Sequence, residues 1–179
     1  MSFSAEGDAN PYSCSDETMI KRIKYLKEKM SLQKDSQKIA MFVAKSNNDK
    51  CVIYKWENAF NTLKPYWLLF EDGGIDEGER DELNTLEKML YGSNLNVREN
   101  GAWEINLSAE AISHRIMNLS LNDNDEPTLT AVINGKLGVI DHCFVMMKKG
   151  LIPDVEKVHI FGRDVKTREP LEEVIFNEL

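Results

Sequence analysis

Two Asn-Gly pairs, Asn100-Gly101 and Asn134-Gly135, stand between runs of alternating apolar residues. Asparagine and glycine both tolerate the left-handed backbone that a tight hairpin turn demands, so each pair predicts two antiparallel strands joined locally. Side-chain alternation then fixes the loop. A two-residue loop at Asn100-Gly101 would set Trp103 and Ile105 opposite Arg98 and Asn96. A three-residue loop, Glu99-Asn100-Gly101 with the glycine as a bulge, sets Val97 opposite Trp103 and Leu95 opposite Ile105, and this is the predicted form. At Asn134-Gly135 a two-residue turn already matches Val132 to Leu137 and Leu129 to Ile140, so a tight turn is predicted there.

Other runs rich in β-branched and aromatic residues predict strands over 39–44, 51–56, 66–70, 112–119, 140–147 and 155–161, with a last one over 171–176. Within 66–70, Tyr66, Leu68 and Phe70 face one way and Trp67 and Leu69 the other, which predicts a strand covered on both faces. Two segments have helical spacing instead. Met19, Ile23, Leu26 and Met30 recur at three- and four-residue steps behind a Ser15-Asp16 cap, predicting an amphipathic helix over 16–32. Leu83, Leu86 and Leu90, followed by Gly92, predict a second. The fold class is therefore mainly β (α+β): eight or nine strands in an antiparallel meander, curled into a barrel or sheet, with two flanking helices. Residues 1–14 are expected to be a flexible tail, 15–37 the N-terminal amphipathic helix, and 38–179 a single β-rich domain.

The net charge of −8 argues against a nucleic-acid partner, because phosphate binding is led by clustered cations. The charge is uneven: positions 71–87 hold eight acidic residues against one basic residue, whereas 15–38 holds seven basic against four acidic. Lys21, Arg22, Lys24 and Lys27 on the helix, and Glu77, Glu79, Asp81 and Glu82 in the acidic segment, are the candidate contacts for a protein partner. The basic helix could also meet an anionic membrane surface, although its apolar face is short for that role. No apolar run reaches the length of a membrane-spanning helix, and the start has no signal-like pattern, so a soluble, cytoplasmic protein is expected.

Cys14, Cys51 and Cys143 lack the paired spacing of a disulfide framework or a zinc site, and reduced thiols are expected. His142 and Cys143 are neighbours on a predicted strand and point to opposite faces, so they cannot readily share a metal. Neither acidic stretch has the ligand spacing of a calcium loop, and no metal or cofactor is predicted. Without a nucleophile elbow, an activated cysteine or a phosphate-cradling glycine loop, no catalytic residue is assigned. His142 is expected to share a face with Ile140, Phe144 and Met146 as a core histidine, and His159, beside Lys157 on its face, to be exposed. The strand aromatics Trp56, Trp67 and Trp103, with His142, are the candidate binding residues should a cavity open beside them.

Several blocks, in order, are similar to a family. Val52-Ile53-Tyr54, Pro65-Tyr66-Trp67, Leu83 to Glu87 with Tyr91-Gly92, Ala131-Val132-Ile133-Asn134-Gly135-Lys136 and Val158-His159-Ile160-Phe161-Gly162-Arg163-Asp164-Val165-Lys166-Thr167 resemble a domain family of unknown function found mainly in bacteria. The resemblance spans about residues 38–170. It implies a shared β-rich fold and supplies no catalytic residue. Members often begin with an export signal, which this start does not resemble, and the helix over 16–32 is an addition to the family pattern. Residues and resemblance together favour a non-catalytic binding module for a protein partner or a small apolar ligand. The alternative is an enzyme using His142 with carboxylates of 71–87.

Overall fold

The computed structural model describes residues 15–47, 50–69, 80–85, 93–97, 103–107, 115–148, 151 and 154–177. The chain enters through helix α1 (Asp16–Ser31). Ser15 caps it, its hydroxyl accepting from the Thr18 amide at 3.2 Å, and Asp16 and Glu17 in the first turn complement the positive end of the helix dipole. Met19, Ile23, Leu26 and Met30 are buried, the stripe expected from their spacing. A short 3-10 turn (Ser36–Lys38) then leads into the sheet.

Among the described residues eleven strands follow: β1 (Ile39–Lys45), β2 (Lys50–Glu57), β3 (Thr62–Leu69), β4 (Arg80–Glu82), β5 (Ser93–Val97), β6 (Trp103–Leu107), β7 (Met117–Leu121), β8 (Pro127–Ile133), β9 (Lys136–Lys148), β10 (Asp154–Asp164) and β11 (Pro170–Phe176). They form one sheet curled into a half-barrel. β1 to β4 make one antiparallel meander and β5 to β11 another. Among the described residues one parallel pairing, β1 with β9, joins them. Most of the body of the helix expected around Leu86 and Leu90 lies outside the described residues; immediately before Leu83 the chain forms β4.

The hairpin registers follow the alternation of side chains. Val97 pairs with Trp103 and Leu95 with Ile105, the register of the three-residue loop, whose own residues lie outside the described set. Val132 pairs with Leu137, and φ is 49° at Asn134 and 81° at Gly135, so the second hairpin closes with the expected tight turn.

The sheet has two apolar faces. Inside the curl, Val52, Tyr54, Trp56, Leu63 and Trp67 from the first meander meet Ile105, Met117, Leu119, Leu129, Ile133 and Ile160 from the second. On the other face, α1 lays its stripe against Phe42, Ala44, Cys51, Ile53, Tyr66, Leu68, Phe144 and Met146. Tyr66 and Leu68 thus face the helix while Trp67 faces the inner core, and all three are buried, as alternation predicted for a strand covered twice. Burying an aliphatic side chain of this size contributes about 1.5–3 kcal/mol, so the four buried residues of α1 are a substantial part of what holds the helix in place.

β9 is the organising strand. One of its edges pairs with β10 from Gly138 to Lys148. The other is shared: β8 takes Lys136 to Val139, and β1 takes His142 to Val145. The two meanders therefore fork from one edge, with Ile140 and Asp141 in the gap. A bulge sits at that gap, since Gly162 pairs with Ile140 and Phe161 with His142, leaving Asp141 as the extra residue. The bulge reverses the alternation. Ile140 faces the inner core, whereas His142, Phe144 and Met146 face α1, so the expectation that Ile140 and His142 share a face is corrected.

Candidate functional site

An open cleft of about 560 Å³ lies at the fork. Its lining comes from three places. Lys27, Met30 and Ser31 belong to the last turns of α1, and Ser36, Gln37 and the run Ile39, Ala40, Met41 and Phe42 to the 3-10 turn and the start of β1. Asp141 and Arg163 come from the bulge of β9 and from β10. Met41 belongs to the inner core and Phe42 to the helix-side core, so the apolar wall draws on both faces of the sheet where the ladder divides. β1 pairs with β9 only from Phe42 onward, which leaves its first three residues clear of β9 at the cleft.

The rim is charged. Lys27 Nζ lies 3.2 Å from Asp141 Oδ2, both side chains being partly exposed. Among the described residues the exposed Arg163 guanidinium has no ion-pair or hydrogen-bond partner. The Asp141 carboxyl is held down to about 2; the neighbouring His142 ring contributes most, burial opposes it, and the Lys27 ammonium assists. Asp141 is therefore a fixed anion at neutral pH.

His142 lies directly behind the cleft. Its ring is 3% exposed and is held between Phe42, at a centroid distance of 4.9 Å and an interplanar angle of 6°, and Phe161, at 4.6 Å and 18°. Its Nδ1 lies 3.7 Å from Asp141 Oδ2, a long polar approach through which the ring lowers the Asp141 carboxyl. Burial lowers its pKa, against the pull of Asp141, so the imidazole is neutral at pH 7. The stack continues to His159, 5.8 Å from Phe161, whose Nδ1 meets Glu172 Oε2 at 2.7 Å. His159 is 4% exposed, correcting the expectation that it faces solvent: its strand neighbour Phe161 and the pairing of β10 with β11 cover it.

The other residues singled out in the sequence are dispersed. Trp56 and Trp67 are buried in the inner core and Trp103 packs there half-buried, 5.1 Å from Trp56; none of the three borders the cleft. On α1, Lys21 pairs with Glu17 at 3.4 Å, Lys24 is exposed, Arg22 donates to the Ser46 carbonyl at 3.1 Å and only Lys27 reaches the cleft. Of the acidic residues, Glu82 pairs with Lys64 at 3.4 Å, Asp81 lies in β4, and Glu77 and Glu79 fall outside the described residues. No group of histidines, cysteines and carboxylates is arranged to hold a metal among the described residues. Cys51 and Cys143 are buried free thiols with pKa values pushed up by burial, that of Cys143 to about 12, which leaves them unreactive. No helix among the described residues is long and apolar enough to cross a membrane.

Asp141 and Arg163 were absent from the candidates drawn from sequence. The available signal was Asp141 itself, the one acidic residue in the run from Leu137 to Met147, which is apolar apart from it, Gly138 and His142. A charge inside such a run marks a place where the strand cannot be covered regularly on both faces.

No curated protein and no solved structure matches this chain. One family model does, over residues 41–174, from the first strand to the last. That span omits α1 and the 3-10 turn, so the cleft is built jointly by the matched domain and by the segment before it. The match covers well over half of the chain, and the protein belongs to DUF4833, a domain family of unknown function.

Proposed function

We propose that this chain is a non-catalytic binding module that holds a small ligand with an apolar body in the cleft at the fork of β9. The observation that carries this reading is the lining: half-buried Ile39 and Ala40 above the buried Met30, Met41 and Phe42, bordered by the polar Ser31, Ser36 and Gln37 and a charged rim. Ligand sites are concave, mostly apolar, about 300–1,000 Å³ in volume, and carry a few oriented polar groups. At about 560 Å³ the cleft has the volume of such a site, and its lining combines apolar with polar groups.

An enzymatic reading has one observation in its favour, the approach of His142 to Asp141 at 3.7 Å. The surroundings weigh against it. A general base must reach the proton it removes, and His142 is enclosed between two phenyl rings. Asp141, with its pKa near 2, is a poor proton carrier at neutral pH. A cytoplasmic location belongs to the same proposal and is supported by the free, buried thiols of Cys51 and Cys143.

The test is titration of the full-length chain with the neutral fluorescent probe N-phenyl-1-naphthylamine. Saturable binding at one site is expected, weakened at least about tenfold, or about 1.4 kcal/mol, by Ala40→Leu or Gln37→Trp, which narrow the cleft from its wall and its mouth. Both variants should unfold as cooperatively as the parent. Binding that is absent, or indifferent to both substitutions, would remove the cleft from the functional account.

A further inference from the structure

We infer that the ligand of this cleft is an amphiphile carrying one anionic head group, a carboxylate or a phosphate monoester, with its head at Lys27 and Arg163 and its apolar body against Ile39 and Ala40. The inference rests on the reading of the cleft as a ligand site and adds the chemistry of what enters it. Three observations carry it. First, the rim holds two cations against one carboxylate in a chain whose net charge is −8, so the mouth is a local exception to the charge of the molecule. Second, those cations have donors to spare. An ammonium has three, and Lys27 spends one on Asp141 at 3.2 Å, while the Arg163 guanidinium, whose fork of donors fits a carboxylate or phosphate, has no partner among the described residues. Third, half-buried Ile39 and Ala40 present an apolar surface beneath the rim, which an inorganic anion alone would leave uncovered.

Asp141 acquires a definite role in this arrangement. Its carboxylate competes with the ligand head for Lys27, because both are anions seeking the same ammonium. Replacing it by Asn should therefore strengthen the binding of an anion, an outcome that a merely structural role for Asp141 would not produce.

The experiment is competition for bound N-phenyl-1-naphthylamine on the full-length chain, using decanoate, decyl phosphate, 1-decanol and decylammonium below their micellar concentrations, and inorganic phosphate alone. Decanoate and decyl phosphate should displace the probe at concentrations about tenfold lower than 1-decanol, with decylammonium weakest, since a charge-assisted contact at a partly exposed rim is worth about that factor. Arg163→Gln and Lys27→Gln should each remove most of that preference and leave 1-decanol unchanged. Asp141→Asn should improve decanoate about threefold, the scale of one screened surface charge. Equal displacement by decanoate and 1-decanol, or a preference that survives in the Lys27→Gln, Arg163→Gln double variant, overturns the head-group assignment while the cleft remains a ligand site. Inorganic phosphate competing as well as decyl phosphate overturns the amphiphile. Failure of the probe itself to bind saturably overturns both the inference and the reading beneath it.

Discussion

Replacing Gly162 by alanine tests how tightly the fork is built. Gly162 lies on β10 opposite the bulge, and a Cβ there would fall on the Val139 carbonyl oxygen and come within 2.6 Å of the Ile133 Cδ1. The methyl end of Ile133 can turn aside, but the carbonyl belongs to the ladder that pairs β9 with β10 and cannot move without loosening it. Overpacking typically costs about 1–3 kcal/mol, and a backbone obstacle puts this site near the upper end, about 3 kcal/mol. Restricting the unfolded chain returns about 0.5 kcal/mol, for a net loss of about 2.5 kcal/mol. With a urea slope of about 2 kcal/mol per molar, the midpoint should fall by about 1.2 M, followed by tryptophan fluorescence. Gly135→Ala is the control. Nothing lies within 4 Å of its added Cβ, and the cost comes from φ of 81° alone, about 1 kcal/mol. Ile133→Val combined with Gly162→Ala should recover only a minor part of the loss, because the carbonyl remains. A Gly162→Ala midpoint within about 0.2 M of the parent would refute the close approach at the bulge.

Two further outcomes follow from the same packing. Leu26 is fully buried between α1 and the sheet, and Leu26→Ala should destabilise the protein by about 2–5 kcal/mol in thermal or urea unfolding; a loss below about 1 kcal/mol would mean the helix is only loosely attached. His142 is neutral in the native state with its pKa lowered by burial, facing Asp141, Lys27 and Glu172, so the unfolded chain takes up its proton first as the pH falls. Its contribution is complete above about pH 6.5, the ordinary histidine value, and declines below it at up to about 1.4 kcal/mol per pH unit until the native pKa is reached. His142→Phe, which preserves the stack, should remove that slope just below pH 6.5, and equal slopes in the two proteins would contradict it. The Asp141 contribution has the opposite character: its folded pKa is depressed, so its stabilisation is present above about pH 4 and lost toward pH 2, outside that window.

What could be read from the sequence was local. Alternation fixed both hairpin registers, helical spacing marked the stripe Met19, Ile23, Leu26 and Met30, and the two-faced burial of Tyr66, Trp67 and Leu68 was visible in their order. The parallel pairing of Phe42 with His142 was not, because those residues are a hundred positions apart and parallel partners leave no turn between them to recognise. The bulge at Asp141 escaped for a related reason. Alternation assumes an unbroken ladder, and one inserted residue moved Ile140 to the face opposite His142. The cleft exists because of these two features together, so its residues Lys27, Asp141 and Arg163 could not be grouped from sequence spacing. His159 was misplaced because a strand face tells only which neighbours a residue shares, whereas its burial depends on the ring of Phe161 and on the strand paired beside it.

The most direct test of the cleft is amide and methyl NMR of the full-length chain during titration with decanoate. The largest shift changes should fall on Ile39 to Phe42, Met30, Asp141 and Arg163, with Trp56, Trp67 and Trp103 unmoved. Changes centred on the three tryptophans, or scattered without saturation, would contradict a ligand site at the fork of β9.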